Sequence, residues 1–400
     1  MPFLSDAVSR LAPSATVAIT QKARELAAQG RDVISLSAGE PDFDTPEHIR
    51  EAAKQAIDRG ATRYTAPDGI PELKAAISRK FQRENGVDYD PREIMVSTGG
   101  KQVIFNALLA TLGPGDEAVI PAPYWVSYPD IVRLSGAAPV IAPTQAADGF
   151  RLTPDALEAA LSPRTKWLIL NSPGNPTGTV LSEADLAGLA EVLRRHPHVW
   201  TLCDDIYEHI AHPPARFATL AAVAPELRDR VLTVNGVSKA YAMTGWRIGY
   251  CGGPVALVDA MRKLQGQSTT NPCSISQWAA LAALDGPQDY LSDARAAFAR
   301  RRDLIVAGLN GAAGLSCPTP DGAFYVLPSC AGALARVAPS GRAMADDAAF
   351  CAELLDAEGV AATPGSAFGA EGRFRLSYAA SDATLAEACA RIRRFCATLR

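Results

Sequence analysis

Residue patterns that hold metals or cross membranes are missing from this sequence of 400 residues. The eight cysteines include no Cys-x-x-Cys pair and the five histidines show no His-Glu-x-x-His spacing, so no metal site is predicted. No apolar run approaches the ~20 residues of a membrane span, and the N-terminus shows no secretory signal. We therefore expect a cytoplasmic protein with reduced cysteines and no membrane partner.

An excess of positive charge is also missing. The chain has 39 Lys and Arg against 43 Asp and Glu, a net charge of −4, and no long basic stretch. This balance argues against nucleic acid as a partner. A hydrophobic content of 48% and a charged content of 20% are instead typical of a globular enzyme.

Apolar segments alternate with helical stretches through the middle of the chain. This alternation predicts an α/β fold with a mostly parallel central sheet and helices on both faces. The predicted strands are residues 94–97, 118–120, 139–141, 166–170, 199–203, 231–234 and 248–251.

The pattern changes after about residue 287, where a long charged helix precedes short strands and a last helix. We expect three parts: an N-terminal segment (1–45) packing on the small domain, a large domain (46–286) and a small α+β domain (287–400). Thr45 is predicted to cap the first helix of the large domain, with Pro46 at its first position.

Lys239 follows the predicted strand 231–234 and is expected to be buried. Burial disfavours an ammonium group and lowers its pKa, which makes a nucleophilic amine available. Arg247 follows eight positions later and is a fixed cation suited to phosphate. A lysine able to form a Schiff base beside such an arginine is what pyridoxal 5'-phosphate (PLP) requires. The alternative is that Lys239 is an ordinary solvated lysine.

Polar residues cluster after four predicted strands, at the edge where α/β sheets bind ligands. Asp204 or its neighbour Asp205 can pair with the pyridine nitrogen of PLP, and strand alternation lets only one of them face it. Asn175 and Tyr207 can donate hydrogen bonds to the phenolic oxygen. The alternative for Asp204 is a helix cap or a surface acid.

Five further residues have both a functional and a structural interpretation. Trp125 can stack on the ring, or it can be a core residue. The backbone N–H groups of Gly100 and Lys101, at a predicted helix N-terminus, and the Ser238 hydroxyl can bind the phosphate, although a glycine turn before a helix is a common structural feature. Arg375 can bind a substrate carboxylate, or it can be a surface arginine.

These motifs occur in one order along nearly the whole chain, and together they resemble the fold type I, PLP-dependent aminotransferases of class I and II. The matching segments are residues 38–43, 99–102, 123–128, 171–178 and 236–249. The chain is most similar to the Iβ branch of bacterial aspartate aminotransferases, which includes enzymes that also accept prephenate.

The resemblance implies a role for each residue at a matching position. These roles are covalent attachment of the cofactor by Lys239, pairing with the pyridine nitrogen by Asp204, donation to the phenolic oxygen by Asn175 and Tyr207, ring stacking by Trp125, phosphate binding by Arg247, and binding of the substrate α-carboxylate by Arg375 and the Gly39 backbone. One departure is Gly236, which stands where many relatives have a phosphate-binding serine, and Ser238 is the candidate replacement.

The resemblance also implies a substrate and a partner. Lys101 matches a lysine that binds the side-chain carboxylate of aspartate, although it can also be a solvated residue of the first helical turn. Thr16 and Lys101 resemble a pair found in prephenate-accepting relatives. Tyr64 matches a tyrosine that reaches the cofactor phosphate of the neighbouring subunit, which implies a homodimer.

The expected reaction is transamination between L-aspartate and 2-oxoglutarate, with prephenate as a further substrate. Three alternatives stay open at this point. They are an aminotransferase for aromatic or other amino acids, a PLP-dependent lyase on the same scaffold, and a non-catalytic regulator.

Overall fold

The computed structural model describes residues 3–9, 11 and 15–400, without the side chains of residues 15–17. Its helices are α1 (Asp6–Ser9), α2 (Ala15–Ala28), α3 (Glu47–Asp58), α4 (Pro71–Lys80), α5 (Gly100–Thr111), α6 (Ser127–Leu134), α7 (Pro154–Ala160), α8 (Glu183–Arg195), α9 (Leu220–Val223), α10 (Val255–Gly266), α11 (Ser274–Asp285), α12 (Asp289–Asn310), α13 (Asp347–Glu358) and α14 (Asp382–Thr398). Its strands are β1 (Ile34–Ser35), β2 (Ile94–Ser97), β3 (Glu117–Ala122), β4 (Ala138–Pro143), β5 (Thr165–Asn171), β6 (Trp200–Asp204), β7 (Val231–Gly236), β8 (Gly249–Gly252), β9 (Tyr325–Val326), β10 (Val360–Ala361), β11 (Thr363–Pro364) and β12 (Phe374–Ser377).

Seven strands form the central sheet, in the order β2-β8-β7-β6-β5-β3-β4. The pairs β7-β6, β6-β5, β5-β3 and β3-β4 are parallel, whereas β8 runs antiparallel to both of its neighbours. The sequence prediction of a mostly parallel sheet is therefore confirmed. The carboxyl ends of the parallel strands meet at one edge, because their directions agree.

Both faces of this sheet are covered by apolar packing. Leu168 and Leu170 of β5 belong to one buried cluster, whereas Trp167 and Ile169 belong to another. Successive side chains of a strand point to opposite faces, so a strand that is apolar at consecutive positions is buried on both. Helices α3, α4 and α11 pack together, and α10 packs on α5.

The predicted cap of α3 is wrong. The N-cap residue is Pro46, and the Thr45 hydroxyl donates to the Ala242 carbonyl at 2.7 Å and accepts from Trp246 Nε1 at 3.0 Å. Thr45 therefore binds the turn before β8. Its partners lie about 200 residues away in the chain, so the local sequence around Thr45 does not indicate them.

The C-terminal part of the chain has a separate buried cluster that includes Phe298, Phe324, Phe350 and Phe374. Strands β11, β12 and β9 form a three-stranded antiparallel sheet within it. The N-terminal segment joins this part of the molecule, because β1 pairs in parallel with β10. Within residues 3–9, 11 and 15–400, none of the helices has the length and apolar character that crossing a membrane requires.

Candidate active site

A cavity of about 470 Å³ lies at the edge of the sheet where β5, β6 and β7 end. Asn171 and Asp204 are the last residues of β5 and β6, and Lys239 follows β7. The predicted site residues that line the cavity are Gly39, Gly100, Lys101, Trp125, Asn175, Asp204, Tyr207, Ser238, Lys239, Arg247 and Arg375. The remaining one, Tyr64, lies elsewhere on the surface.

The reversed direction of β8 explains how Arg247 reaches this edge. Because β8 runs antiparallel to β7, the residues before its first residue lie beside the residues that follow β7. Two glycines make room there. A Cβ atom on Gly249 would overlap the backbone nitrogen of Gly100, and a Cβ atom on Gly99 would overlap the Arg247 guanidinium. Gly99 also has a φ of +86°, which favours glycine.

Lys239 is half-buried and lines the cavity. Its Nζ donates to the Gly39 carbonyl at 2.6 Å. Burial, together with the nearby Arg247, lowers the pKa of Lys239 to about 8. The amine is therefore much closer to its nucleophilic, neutral form at physiological pH than an exposed lysine would be.

Asp204 and Asp205 face different surroundings. Asp204 lines the cavity and accepts a hydrogen bond from the Tyr128 hydroxyl at 2.7 Å. Burial raises the pKa of Asp204 to about 6, although the bond from Tyr128 opposes that effect. Asp205 accepts from the Thr219 hydroxyl at 2.7 Å, away from the lining residues. Strand alternation thus separates the two acids, and Asp204 is the one at the cavity.

Asn175 is hydrogen-bonded to Arg375, and Tyr207 is hydrogen-bonded to Tyr325, whose ring contacts Arg375. Arg375 is buried, and it donates from Nη1 to Asn175 Oδ1 at 2.9 Å and from Nη2 to the Ser37 carbonyl at 2.6 Å. The Tyr207 hydroxyl lies 2.9 Å from the Tyr325 hydroxyl. Because Arg375 is buried, the alternative interpretation of this residue as a surface arginine is wrong.

The guanidinium of Arg375 lies over two aromatic rings. Its carbon lies 4.6 Å from the ring centre of Tyr325 and 4.8 Å from that of Phe368. Its Nε is buried without a hydrogen-bond partner among the described residues. Contacts with two rings limit the orientations of the guanidinium fork, which suits it to a carboxylate.

Trp125 is partly buried and lines the cavity next to the start of α6. Lys101 Nζ lies 4.8 Å from the centre of its ring, and Tyr128 makes an edge contact at 5.3 Å. Partial desolvation of Lys101 and the charge of Arg247 lower the pKa of Lys101. Lys101 and Arg375 are therefore two cations at the cavity, and each lies close to an aromatic ring.

Ser238 lies at the cavity, but the backbone crowds Gly236. A Cβ atom on Gly236 would lie 3.0 Å from the Ile248 carbonyl and 3.1 Å from Ile206 Cδ1, so a serine there requires its neighbours to shift. Tyr64 is 88% exposed and lines a separate surface depression with Arg63 and Cys273. The side chain of Thr16 lies outside the described residues.

The residues around this cavity fit PLP. Only glycine at positions 99 and 249 lets the first turn of α5 approach Arg247, which places helix N–H donors and a guanidinium where a phosphate can bind. Lys239 supplies an amine, and Asp204 supplies a carboxylate for a ring nitrogen. Each group of the cofactor therefore has a chemically matched residue in one cavity.

Several residues at the cavity were missed by sequence reasoning. Tyr128 binds Asp204, Tyr325 contacts Arg375, and Thr20, Gln21 and Arg24 of α2 line the cavity. Tyr128 stands three residues after Trp125, a helical spacing that could have indicated a shared face. The local sequence around Tyr325 offers no comparable signal.

A second group of titratable residues lies away from the cavity. Within the described part of the chain, Glu84, Glu208 and His209 have ligand atoms close enough to hold a metal ion. The buried Lys80 ammonium already contacts Glu208, and Asn85 Nδ2 donates to that carboxylate at 2.6 Å. The Lys80 ammonium thus balances the charge of these acids, in the place of a metal ion.

The chain is similar to known proteins along its whole length. Residues 31–392 match the family model for aminotransferase class I and II. A relative from Cereibacter sphaeroides, named aspartate/prephenate aminotransferase, is 59% identical over 100% of both chains. A relative from Rhizobium meliloti, named aspartate aminotransferase, is 56% identical over 97% of this chain and 95% of its own.

Solved structures give the same result for the fold. The aspartate aminotransferase of Rhizobium meliloti superposes with a TM-score of 0.97 at 54% identity, over 100% of both chains. The aspartate aminotransferase of Thermus thermophilus, solved with maleate, superposes with a TM-score of 0.92 at 45% identity. That match covers 99% of this chain and 100% of the other.

Proposed function

Because the chain belongs to the class I and II aminotransferases, whose cofactor is pyridoxal 5'-phosphate, we propose that it transfers the amino group of L-aspartate to 2-oxoglutarate. It is an aminotransferase, and its substrates are amino acids and 2-oxo acids. The products of the proposed reaction are oxaloacetate and L-glutamate. Prephenate is proposed as a second acceptor.

The observation that carries the proposal is the pair of cations Arg375 and Lys101 at one cavity. Every amino acid has an α-carboxylate, but a second cation near the reacting atoms favours substrates with a second carboxylate. The names of the relatives support this choice, and the relative from Thermus thermophilus was solved with maleate, which is a dicarboxylate.

Different residues of the cavity would bind different groups of the cofactor. When bound, PLP supplies an electron-withdrawing ring that stabilises negative charge at the substrate Cα. Its phosphate would be held by Arg247, Ser238 and the N–H groups of Gly100 and Lys101. Its ring would be held by Asp204 at the nitrogen, by Asn175 and Tyr207 at the phenolic oxygen and by Trp125 at one face.

Lys239 and Arg375 act on the substrate. Arg375, with the backbone of Gly39, holds the α-carboxylate, which fixes the substrate Cα relative to Lys239. When the substrate has replaced Lys239 on the cofactor, the Lys239 amine is free. Its Nζ then accepts the proton from the substrate Cα and returns a proton, which completes the amino transfer. A pKa of about 8 suits this exchange, because both protonation states are populated near neutral pH.

We also propose a cytoplasmic homodimer in which Tyr64 contributes to the partner's phosphate site. A tyrosine that is 88% exposed and lies outside its own cavity supports this assignment. Within each subunit we propose residues 46–286 as the cofactor domain and 287–400 as the small domain, on which residues 1–45 pack.

The first test is the half-reaction. Holoenzyme is mixed with L-aspartate in the absence of an oxo acid, and oxaloacetate is measured. We expect about one oxaloacetate per active site, followed by glutamate when 2-oxoglutarate is added, because the cofactor stores one amino group. Release of CO2 with formation of alanine, or of ammonia with formation of fumarate, would instead indicate a lyase, and transfer from aromatic donors alone would indicate an aromatic aminotransferase.

Prephenate is tested with the same preparation. It carries a second carboxylate, so the same pair of cations can bind it. We expect arogenate when prephenate is supplied with L-glutamate or L-aspartate. A preparation that uses 2-oxoglutarate but forms no arogenate would limit the proposal to aspartate.

A further inference from the structure

Helix α2 presents one face to the cavity. Thr20, Gln21 and Arg24 line it, and Arg24 lies about one helical turn after the other two. The Gln21 amide donates to Glu25 at 2.8 Å. Arg24 is exposed, and within residues 3–9, 11 and 15–400 it has no recorded hydrogen bond or ion pair.

The other side of α2 is fixed to the C-terminal part of the molecule. Ala23 is buried in a cluster with Leu355 and Ala361. Lys22 Nζ forms an ion pair with Asp356 at 3.2 Å, and Arg31, just after the helix, donates to the Asp356 carbonyl at 2.7 Å. The backbone that carries Arg24 is thus held against α13 and β10, while its side chain remains free to turn toward the cavity.

The other cations of the cavity already have partners. Arg375 donates to Asn175 and Ser37, Arg247 Nη1 donates to the Thr244 carbonyl at 2.9 Å, and Lys101 lies over the ring of Trp125. The acid that lines the same cavity is Asp204, whose pKa is raised. Several like charges around one cavity repel each other, and an anionic ligand removes that cost.

We propose that Arg24 binds the second carboxylate of dicarboxylic substrates, together with Lys101. The inference rests on the proposed function, because it names a specificity-determining residue for that reaction. Since Lys101 belongs to α5 and Arg24 to α2, this carboxylate joins a helix of the central sheet to a helix fixed on the small domain. A substrate with one carboxylate lacks that link.

The test compares three variants as holoenzymes. Arg24→Gln removes the charge, Arg24→Lys keeps it, and Lys22→Gln is the matched control on the other face of α2. The measurements are kcat/KM for L-aspartate and for L-alanine, and the Kd of succinate, a dicarboxylate without an amino group. In Arg24→Gln we expect the aspartate-to-alanine ratio to fall about tenfold and the succinate Kd to rise about tenfold, as for one partly exposed ion pair.

The conservative variants separate charge from structure. Arg24→Lys should recover most of both values, and Lys22→Gln should keep the wild-type ratio. In the double variant Arg24→Gln with Lys101→Met, the loss should be smaller than the product of the two single losses, because both cations bind one group.

Other results would overturn the inference. An unchanged ratio and an unchanged succinate Kd in Arg24→Gln would show that Arg24 does not bind substrate. A weaker PLP affinity with equal losses for aspartate and alanine would place Arg24 at the cofactor phosphate, since Arg24 and Arg247 also share an adjoining depression. Failure of the wild-type enzyme to use aspartate would refute the proposed function, and the succinate Kd would still test Arg24.

Discussion

The protonation of Lys239 follows from where the folded chain places it. A buried ammonium loses its hydration, and the nearby Arg247 repels it, so the neutral form is favoured. The same burial acts in the opposite direction on Asp204, whose neutral form is the protonated one. The pKa values of the two residues therefore both move toward neutral pH, that of Lys239 from above and that of Asp204 from below.

The amine of Lys239 should react with a small acylating reagent in a pH-dependent way. Only the neutral amine reacts, and it forms above the pKa of about 8. The labelling rate in cofactor-free protein should therefore rise through pH 8 and level off near about pH 9. Peptide mass spectrometry measures it, and the exposed Lys263 in the same samples reports the pH dependence of the reagent. A midpoint close to 10.5 would contradict the effect of burial.

The placement of residues at the cavity was predictable where a motif is contiguous. Lys239, Asp204 and Arg247 follow or precede apolar segments, and burial of those segments indicates their surroundings. Tyr128 and Tyr325 were missed because their partners, Asp204 and Tyr207, lie 76 and 118 residues away in the chain. Contacts at that separation depend on the tertiary fold and not on local pattern.

At the scale of elements, the contact between β8 and the start of α5 holds together the groups that we propose to bind the phosphate. The backbone nitrogen of Gly100 lies so close to Gly249 that a Cβ atom on Gly249 would overlap it. The helix can therefore begin directly against the strand, with its first N–H groups directed at the cavity.

Gly249→Ala should disturb both stability and cofactor binding. The new Cβ must displace backbone atoms, which costs about 1–3 kcal/mol in a packed interior. We expect a lower Tm and a PLP Kd that rises at least about tenfold. Gly245→Ala is the matched control, because a Cβ at Gly245 meets no atom within 4 Å. Equal Tm and Kd values for the two variants would refute the close contact.

Most strands of the central sheet were predicted within about two residues, because each is a short apolar run between polar turns. The direction of β8 could not be predicted, since an apolar run has the same composition whether its hydrogen bonds are parallel or antiparallel. The cap of α3 was predicted wrongly for a related reason. Thr45 has the right chemistry for a cap, but its hydroxyl binds Ala242 instead.

At the scale of the whole molecule, the cavity combines residues from nearly the full length of the chain. Gly39 lies near one end and Arg375 near the other, with the residues of the central sheet between them. Tyr64 extends this arrangement beyond one subunit in the proposed dimer, because the residue is exposed and lies outside its own cavity.

Hybrid dimers test this sharing. A dimer of one Tyr64→Ala subunit and one Lys239→Ala subunit, purified through two different tags, should contain one intact site and one site with both defects. We expect about half of the wild-type activity, well above the mean of the two variant homodimers. Activity equal to that mean would show that Tyr64 serves its own subunit or no site at all.

The pairing of β1 with β10 also sets an order of events during protein synthesis. The two strands are separated by about 325 residues. At roughly 5–20 residues per second, β1 is made about 15–65 s before its partner. The strands of the central sheet are complete before β10 exists, so that sheet can form while the chain is still being translated. The proposed α-carboxylate site includes the hydrogen bond from Arg375 to the Ser37 carbonyl, and it is therefore among the last parts of the protein to form.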